Sequence, residues 1–247
     1  MNKIEQAHKR YVHQATWTKD LRAHLNSKIS LPNNASILEI GSGTSAVLSE
    51  YGTSHNLFAL DLDFEALDYA RSNAATQKST QADAGLLPYP SNSLDFCFCH
   101  FLLLWVNNPK VALAEMVRVV KPGRWIAVFA EPDHEARIDF PKSLEALGNL
   151  QSKSLRQKGA DTQLGRQMAS LIAGLPLENA EFGILGMQRR LKDHVSHTEE
   201  QATWKRDIIS FASSEEIAYW EKIENIAIER EERIIFIPTF FAIGQKI

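Results

Sequence analysis

The chain has 247 residues, with 27 Lys and Arg against 30 Asp and Glu, for a net charge of −3. That balance excludes duplex nucleic acid as the main partner, because such binders carry a clear basic excess. A hydrophobic share of 44% excludes a disordered chain, and a chain of this length can bury a full core without disulfide staples. Cys97 and Cys99 stand two apart inside an apolar run. This spacing suits neither a disulfide framework nor a four-ligand zinc site, and it points to a reducing compartment. The first thirty residues are polar and charged, without the apolar centre of a signal peptide. The longest apolar runs fall far short of the roughly 20 residues of a membrane span. A cytoplasmic protein with no membrane partner is expected; its oligomeric state is not legible.

In chain order, residues 4–28 read as a helix, with Trp17, Leu21 and Leu25 on one stripe. Pro32-Asn33-Asn34 closes it. Ser36–Ile40 is a short strand ending at Gly41, and Ser45 to Glu50 reads as the next helix. Leu57–Leu60 is a second strand, ended by Asp61. Asp63 is placed to cap a helix over Phe64–Ala75, whose Leu67, Ala70 and Ala74 share a face. A third β-like segment precedes Asp83, and Leu94–Cys99 is a fourth strand with Cys97 and Cys99 as core residues. Lys110–Val120 is amphipathic through Leu113, Met116, Val117 and Val120. A Lys121-Pro122-Gly123 turn then leads into Trp125–Ala130, apolar throughout as expected of a parallel strand buried on both faces.

After Glu131, Lys142–Lys158 and Thr162–Ala173 read as helices, Glu181–Gln188 as a strand, and Thr198–Arg233 as mostly helical. In that last stretch Glu229 and Arg233 are spaced for an i,i+4 pair at a solvated helix end. Thr239–Lys246 is a final strand. The alternation of strands and helices predicts an α/β domain with a parallel sheet. No linker divides the chain, so 1–247 is read as one domain.

The sharpest feature is Ile37-Leu38-Glu39-Ile40-Gly41-Ser42-Gly43-Thr44-Ser45. A strand runs into two glycines at i and i+2, where the backbone turns tightly and a ligand can approach it closely. A following helix would add free N–H groups. Asp61 stands 20 residues after Gly41 at the end of the second strand, where an acid can accept both hydroxyls of an adenosine ribose.

With these residues the chain resembles the class I S-adenosylmethionine-dependent methyltransferases. The resemblance lies in LEIGSGTS (38–45), FALDLD (58–63), ADAGLLPYPSNSLDFCFCHFLLLW (82–105) and KPGRWIAVFAEPD (121–133), in family order over more than a third of the chain. Ser45 replaces the family's usual third glycine. The resemblance implies a Rossmann-like, doubly wound, mostly parallel seven-stranded sheet with an antiparallel last strand. It implies S-adenosyl-L-methionine as cofactor, with Glu39 near the methionine amino group and Gly41, Ser42 and Gly43 along the methionyl and ribose portion. Asp61 would hold the ribose, Leu62 would pack on the adenine, Asp83 and Ala84 would meet the adenine edge, and His100 would sit beside the transferring methyl.

The implied reaction is methyl transfer to an O, N or C nucleophile of a small molecule by in-line displacement, which needs alignment and exclusion of water more than a metal. Asp133, His134 and Glu135 are adjacent in sequence, which seldom lets three side chains converge on one ion, so no metal is expected. Base candidates lie at strand ends: His100 first, then Glu131 and His134. Merely packing near the cofactor is the other reading of His100. The acceptor pocket is expected from residues 1–30 as a lid and from helical additions at 135–175 and 190–233. Tyr11, Trp17, Trp105 and Arg137 are named as substrate contacts; Trp204, Phe211 and Trp220 are further aromatic candidates. An NAD(P)-dependent oxidoreductase and a non-catalytic cofactor-binding protein stay open as alternatives.

Overall fold

The computed structural model describes residues 2–73, 78–186 and 194–247. Its elements are α1 (Lys3–Trp17), α2 (Lys19–Lys28), β1 (Ser36–Ile40), β2 (Asn56–Asp61), α3 (Phe64–Asn73), β3 (Lys78–Gln81), β4 (Leu94–Cys99), α4 (Pro109–Val119), β5 (Val120–Pro132), β6 (Ile138–Phe140), α5 (Glu145–Gln157), α6 (Met168–Ala173), β7 (Leu177–Leu185), α7 (His194–Ile208), α8 (Ser214–Glu229), β8 (Ile234–Phe236) and β9 (Thr239–Lys246). Seven strands form one sheet in the order β3-β2-β1-β4-β5-β9-β7, and β6 pairs with β8 in a separate ribbon. The first five are mutually parallel, and β9 runs antiparallel to both β5 and β7.

Alternation along β4 divides the core. Cys97 and Cys99 face a cluster with Leu113, Met116 and Val117 of α4 and Met168 of α6. Phe96 and Phe98 face the opposite cluster with Leu21 and Leu25 of α2 and Leu67 of α3. Both thiols are free and fully buried, and burial pushes them up from the ordinary thiol range. A smaller cluster joins Leu147, Trp204, Ile208 and Trp220 across α5, α7 and α8.

Several boundaries depart from expectation. The N-terminal stretch is two helices broken at Thr18 (φ −114°, ψ 9°), whose hydroxyl is engaged by Arg22 and His100. Residues 45–50 form no α-helix. Ser45 takes φ 58°, its N–H bonds back to Ser42, and only a 3-10 turn over Leu48–Tyr51 follows. The left-handed backbone at Ser45 is incompatible with a helix start. Lys121-Pro122-Gly123 lies inside β5 at a register shift, with Gly123 at φ 72°. The 198–233 stretch divides at Ser213, which with Glu216 makes a capping box for α8.

Asp63 caps α3 as expected, accepting from the N–H groups of Glu65 and Ala66. Ala74 and Ala75 of that expected helix, and Met187 and Gln188 of the expected 181–188 strand, lie outside the described residues. Arg233 does not pair with Glu229. It is buried, bonding Glu224 and Asp139, and so ties α8 to the β6–β8 ribbon.

Candidate active site

One cavity of about 1020 Å³ opens at the carboxyl ends of β1, β2 and β4. The sequence of β1 dictates its floor, because the buried apolar strand must leave the sheet at Ile40. Gly41 (φ 67°) and Gly43 (φ 50°) supply the left-handed turns. A Cβ on Gly41 would stand 2.5 Å from Leu102 Cδ1, and one on Gly43 would stand 3.1 Å from Tyr11 Cε2. The turn is therefore packed between the post-β4 segment and α1, with no space for side chains at either position.

Asp61 faces this turn. Its Oδ2 accepts the Gly43 N–H at 2.7 Å, and its Oδ1 accepts the Asp63 N–H at 2.9 Å. Each carboxylate oxygen keeps capacity to accept a further bond. Asp83 accepts the Gly85 N–H at 2.7 Å. Asp83, Ala84 and Leu62, the last of them 65% exposed, all line the same cavity. Glu39 is buried, and its Oε2 accepts the Leu48 N–H at 2.9 Å, which pins the turn after the glycines. Burial drives its carboxyl well above the usual range. Ser42 also lines the cavity, and its buried hydroxyl has no hydrogen-bond partner among the described residues.

The expected base candidates separate. His100 lines the cavity, with Nε2 2.8 Å from Thr18 Oγ1. Thr18 Oγ1 accepts from the Arg22 guanidinium. The same hydroxyl also lies 3.4 Å from the Ala15 carbonyl, to which it can donate. Burial, with Arg22 nearby, lowers this imidazole to about 3. His134 lines the cavity too; its Nδ1 has no partner among the described residues, and burial lowers it to about 4.

Glu131, expected as a base candidate, does not line the cavity. It is fully buried, and its two oxygens accept three backbone N–H groups, from Leu102, Leu103 and Leu104. Burial raises it to about 8 despite those bonds. Its work is to hold the segment that carries His100, Phe101 and Leu102.

Tyr11, Trp17 and Trp105 line the cavity, as expected of substrate contacts. Arg137 does not: its guanidinium is buried against Asp139 and Gln151, behind the wall. Trp204 lines the cavity, with its indole N–H on Glu224, whereas Phe211 and Trp220 stand outside it. Of the adjacent trio, Asp133 pairs with Arg166, Glu135 pairs with Arg156, and only His134 reaches the cavity.

Sequence reading missed Arg10, Gln151, Arg206 and the Ile235–Ile237 turn-in as wall residues. Arg10 precedes Tyr11 on α1, a signal available in the sequence. The others reach the cavity only because α5, α7 and β8 fold back over the sheet edge.

Residues 38–128 match the family model described as a methyltransferase domain. A malonyl-[acyl-carrier protein] O-methyltransferase of Pectobacterium atrosepticum is 33% identical over 93 residues, 37% of this chain and 36% of that one. A demethylmenaquinone methyltransferase of Renibacterium salmoninarum is 35% identical over 99 residues, 40% of this chain and 41% of that one. The matched part thus spans between about a third and two fifths of these relatives' lengths. Among solved structures, a protein from an antibiotic biosynthesis pathway of Anabaena variabilis superposes with TM-score 0.65 at 16% identity, over 93% of this chain and 97% of that one. Phosphoethanolamine N-methyltransferase 2 of Haemonchus contortus gives TM-score 0.57 at 14% identity, over 92% of this chain and 52% of that one. At such identities the likeness is one of fold. Residues 38–128 thus match a methyltransferase domain, and the strand order with its single antiparallel member places that match within a fold this chain shares with solved methyltransferase structures.

Proposed function

We propose that the chain moves a methyl group from S-adenosylmethionine to an O, N or C nucleophile of a small acceptor. The observation that carries this reading is the Asp61 carboxylate bonded to Gly43 N–H across the glycine turn, both residues lining the cavity. The residues present fit the cofactor: the turn excludes side chains, Ser42 Oγ is a buried hydroxyl without a partner, and Asp61 has acceptor capacity left. Glu39, Gly41, Ser42 and Gly43 would hold its methionyl and ribose portion. Asp61 would take the ribose hydroxyls, and Leu62, Asp83 and Ala84 would take the adenine. When bound, the cofactor supplies an electrophilic methyl on a positively charged sulfur.

The protein's share is then alignment and exclusion of water. Tyr11 and Trp17 of α1, Trp105 after β4 and Trp204 of α7 line the cavity with aromatic surface. Both cavity imidazoles are weak bases, held at about 3 and about 4, so neither takes a proton efficiently at neutral pH. His100, its Nε2 held by Thr18, keeps Nδ1 to hydrogen-bond a polar acceptor atom. The arrangement suits an acceptor that arrives already nucleophilic. The curated relatives carry different acceptors in their names, malonyl on a carrier protein and demethylmenaquinone, so the family does not single one out.

The test is calorimetry with S-adenosylhomocysteine and, in parallel, NADH. Binding of the former alone supports the proposal; binding of NADH alone moves the chain to nicotinamide chemistry. Turnover of methyl-labelled cofactor against an acceptor panel then separates an enzyme from a non-catalytic binder.

A further inference from the structure

We infer that Arg10 of α1 and Arg206 of α7 together grip an oxyanion, a carboxylate or a phosphate monoester, on the methyl acceptor. The inference deepens the proposed function and rests on it. Both residues line the cavity although they stand almost two hundred positions apart in the chain. Among the described residues neither guanidinium has a carboxylate within ion-pair distance. Arg10 instead lies over the Tyr11 ring, 4.7 Å from its centroid.

Arginines elsewhere in the fold behave differently. Arg22, Arg118, Arg137, Arg156, Arg166 and Arg233 each bond a carboxylate. Acids of the cavity wall are already engaged, Glu200 lying 3.8 Å from His197 Nδ1. Asp207 accepts from Gln151 at 2.8 Å and faces Lys158 Nζ at 3.7 Å, while Asp61 and Asp83 hold backbone N–H groups at the glycine-turn end.

Two positive charges facing one partly desolvated space repel one another. Burial, with the charge of Arg10, holds the Arg206 guanidinium below its ordinary value. A ligand anion removes that cost, and planar guanidinium forks match carboxylate and phosphate oxygens in a bidentate way. The location also fits an acceptor site. Tyr11, on which Arg10 rests, reaches to where a Gly43 Cβ would be 3.1 Å from its ring, so the pair stands one side chain from the cofactor turn.

The test uses the full chain saturated with S-adenosylhomocysteine. Inorganic phosphate and succinate are titrated separately at constant ionic strength, with chloride as balance. Wild type is expected to bind one or both, and Arg10→Gln and Arg206→Gln are each expected to weaken that binding roughly tenfold, the loss of a charge-assisted contact. Affinity for S-adenosylhomocysteine should stay within about twofold in both variants, because neither contacts the Asp61 turn directly. Phosphate binding alone identifies a phosphorylated acceptor; succinate binding alone identifies a carboxylated one. If the saturated wild type binds neither anion, or if either variant binds as wild type does, the grip is overturned and the cofactor reading stands. If S-adenosylhomocysteine itself fails to bind, the cofactor reading falls and the grip falls with it.

Discussion

Thr18 Oγ1 lies 2.8 Å from His100 Nε2, tying the break between α1 and α2 to the end of β4. The same hydroxyl accepts from Arg22, a side chain only 2% exposed whose guanidinium also bonds Glu50 and the Ala15 carbonyl. One threonine thus anchors the helical cover to the sheet and fixes the orientation of a cavity imidazole.

Thr18→Val keeps the shape and removes the hydroxyl. It leaves a buried guanidinium hydrogen without an acceptor, so a loss of about 2 kcal/mol is expected. Urea denaturation measures it, and nitrogen chemical shifts of His100 should move in the folded variant. Wild-type stability with unchanged shifts would remove this contact from the account.

Asp61→Ala should weaken S-adenosylhomocysteine at least about tenfold, close to 1.4 kcal/mol. Asp61→Asn can keep an oxygen toward only one of the Gly43 and Asp63 N–H groups and sets its NH2 against the other, so it should lose thermal stability as well as affinity. Calorimetry and a thermal melt on the same samples separate binding from folding.

Glu131→Gln addresses a residue first considered as a base. Replacing one oxygen by an amide sets an N–H against a backbone N–H of the Leu102–Leu104 segment, and a cost of about 2–3 kcal/mol follows. If Glu131 only supports that segment, stability falls while the pH dependence of turnover keeps its shape. A displaced pH profile in a stable variant would return Glu131 to the chemistry.

The two cavity histidines make stability depend on pH with a definite sign. Their folded-state values, about 3 for His100 and about 4 for His134, lie below the unfolded 6.5. Below pH 6.5 the unfolded chain takes up protons that the native chain refuses, so stability is lost as pH falls from 6.5 toward 4. The slope is about 1.4 kcal/mol per pH unit for each imidazole. Glu131, raised to about 8 from 4.5, acts in the opposite sense as pH rises through that interval, and Glu39 is raised in the same direction. The histidine share is therefore read as the difference between wild type and His134→Asn in denaturation from pH 4 to 7. Parallel curves would refute it.

Arg233→Met is expected to cost about 3–5 kcal/mol, because it strands the buried carboxylates of Glu224 and Asp139. Its effect should concentrate in α8 and the β6–β8 ribbon, which hydrogen exchange resolves. Uniform exchange across the whole chain would contradict a local clamp.

Local chemistry was enough to read much of this molecule. Strand after strand carries an apolar run broken by a turn residue, β5 is apolar on both faces over Trp125–Ala130, and Asp63 caps its helix by accepting from N–H groups two and three residues on. The Gly41–Gly43 turn and the acid 20 residues later are likewise near neighbours of strand ends, so their convergence follows once β1 and β2 pair in parallel.

What pattern reading missed depends on long-range partners. The helix expected after Gly43 gives way to a turn because Ser45 takes a left-handed backbone and Glu39 draws in the Leu48 N–H. The residues 4–28 split at Thr18, whose hydroxyl meets His100 just after β4. Glu131, a plausible base by position, is diverted to three backbone N–H groups. Arg137 and Arg233, solvent-facing by composition, are buried by opposite charges from distant elements. Hydrophobic period and turn chemistry act over a few residues, so the sequence by itself determines the layers and the glycine turn. Which polar group meets which is settled only when the chain folds back, because burying a charge is tolerable only beside a partner that tertiary structure supplies.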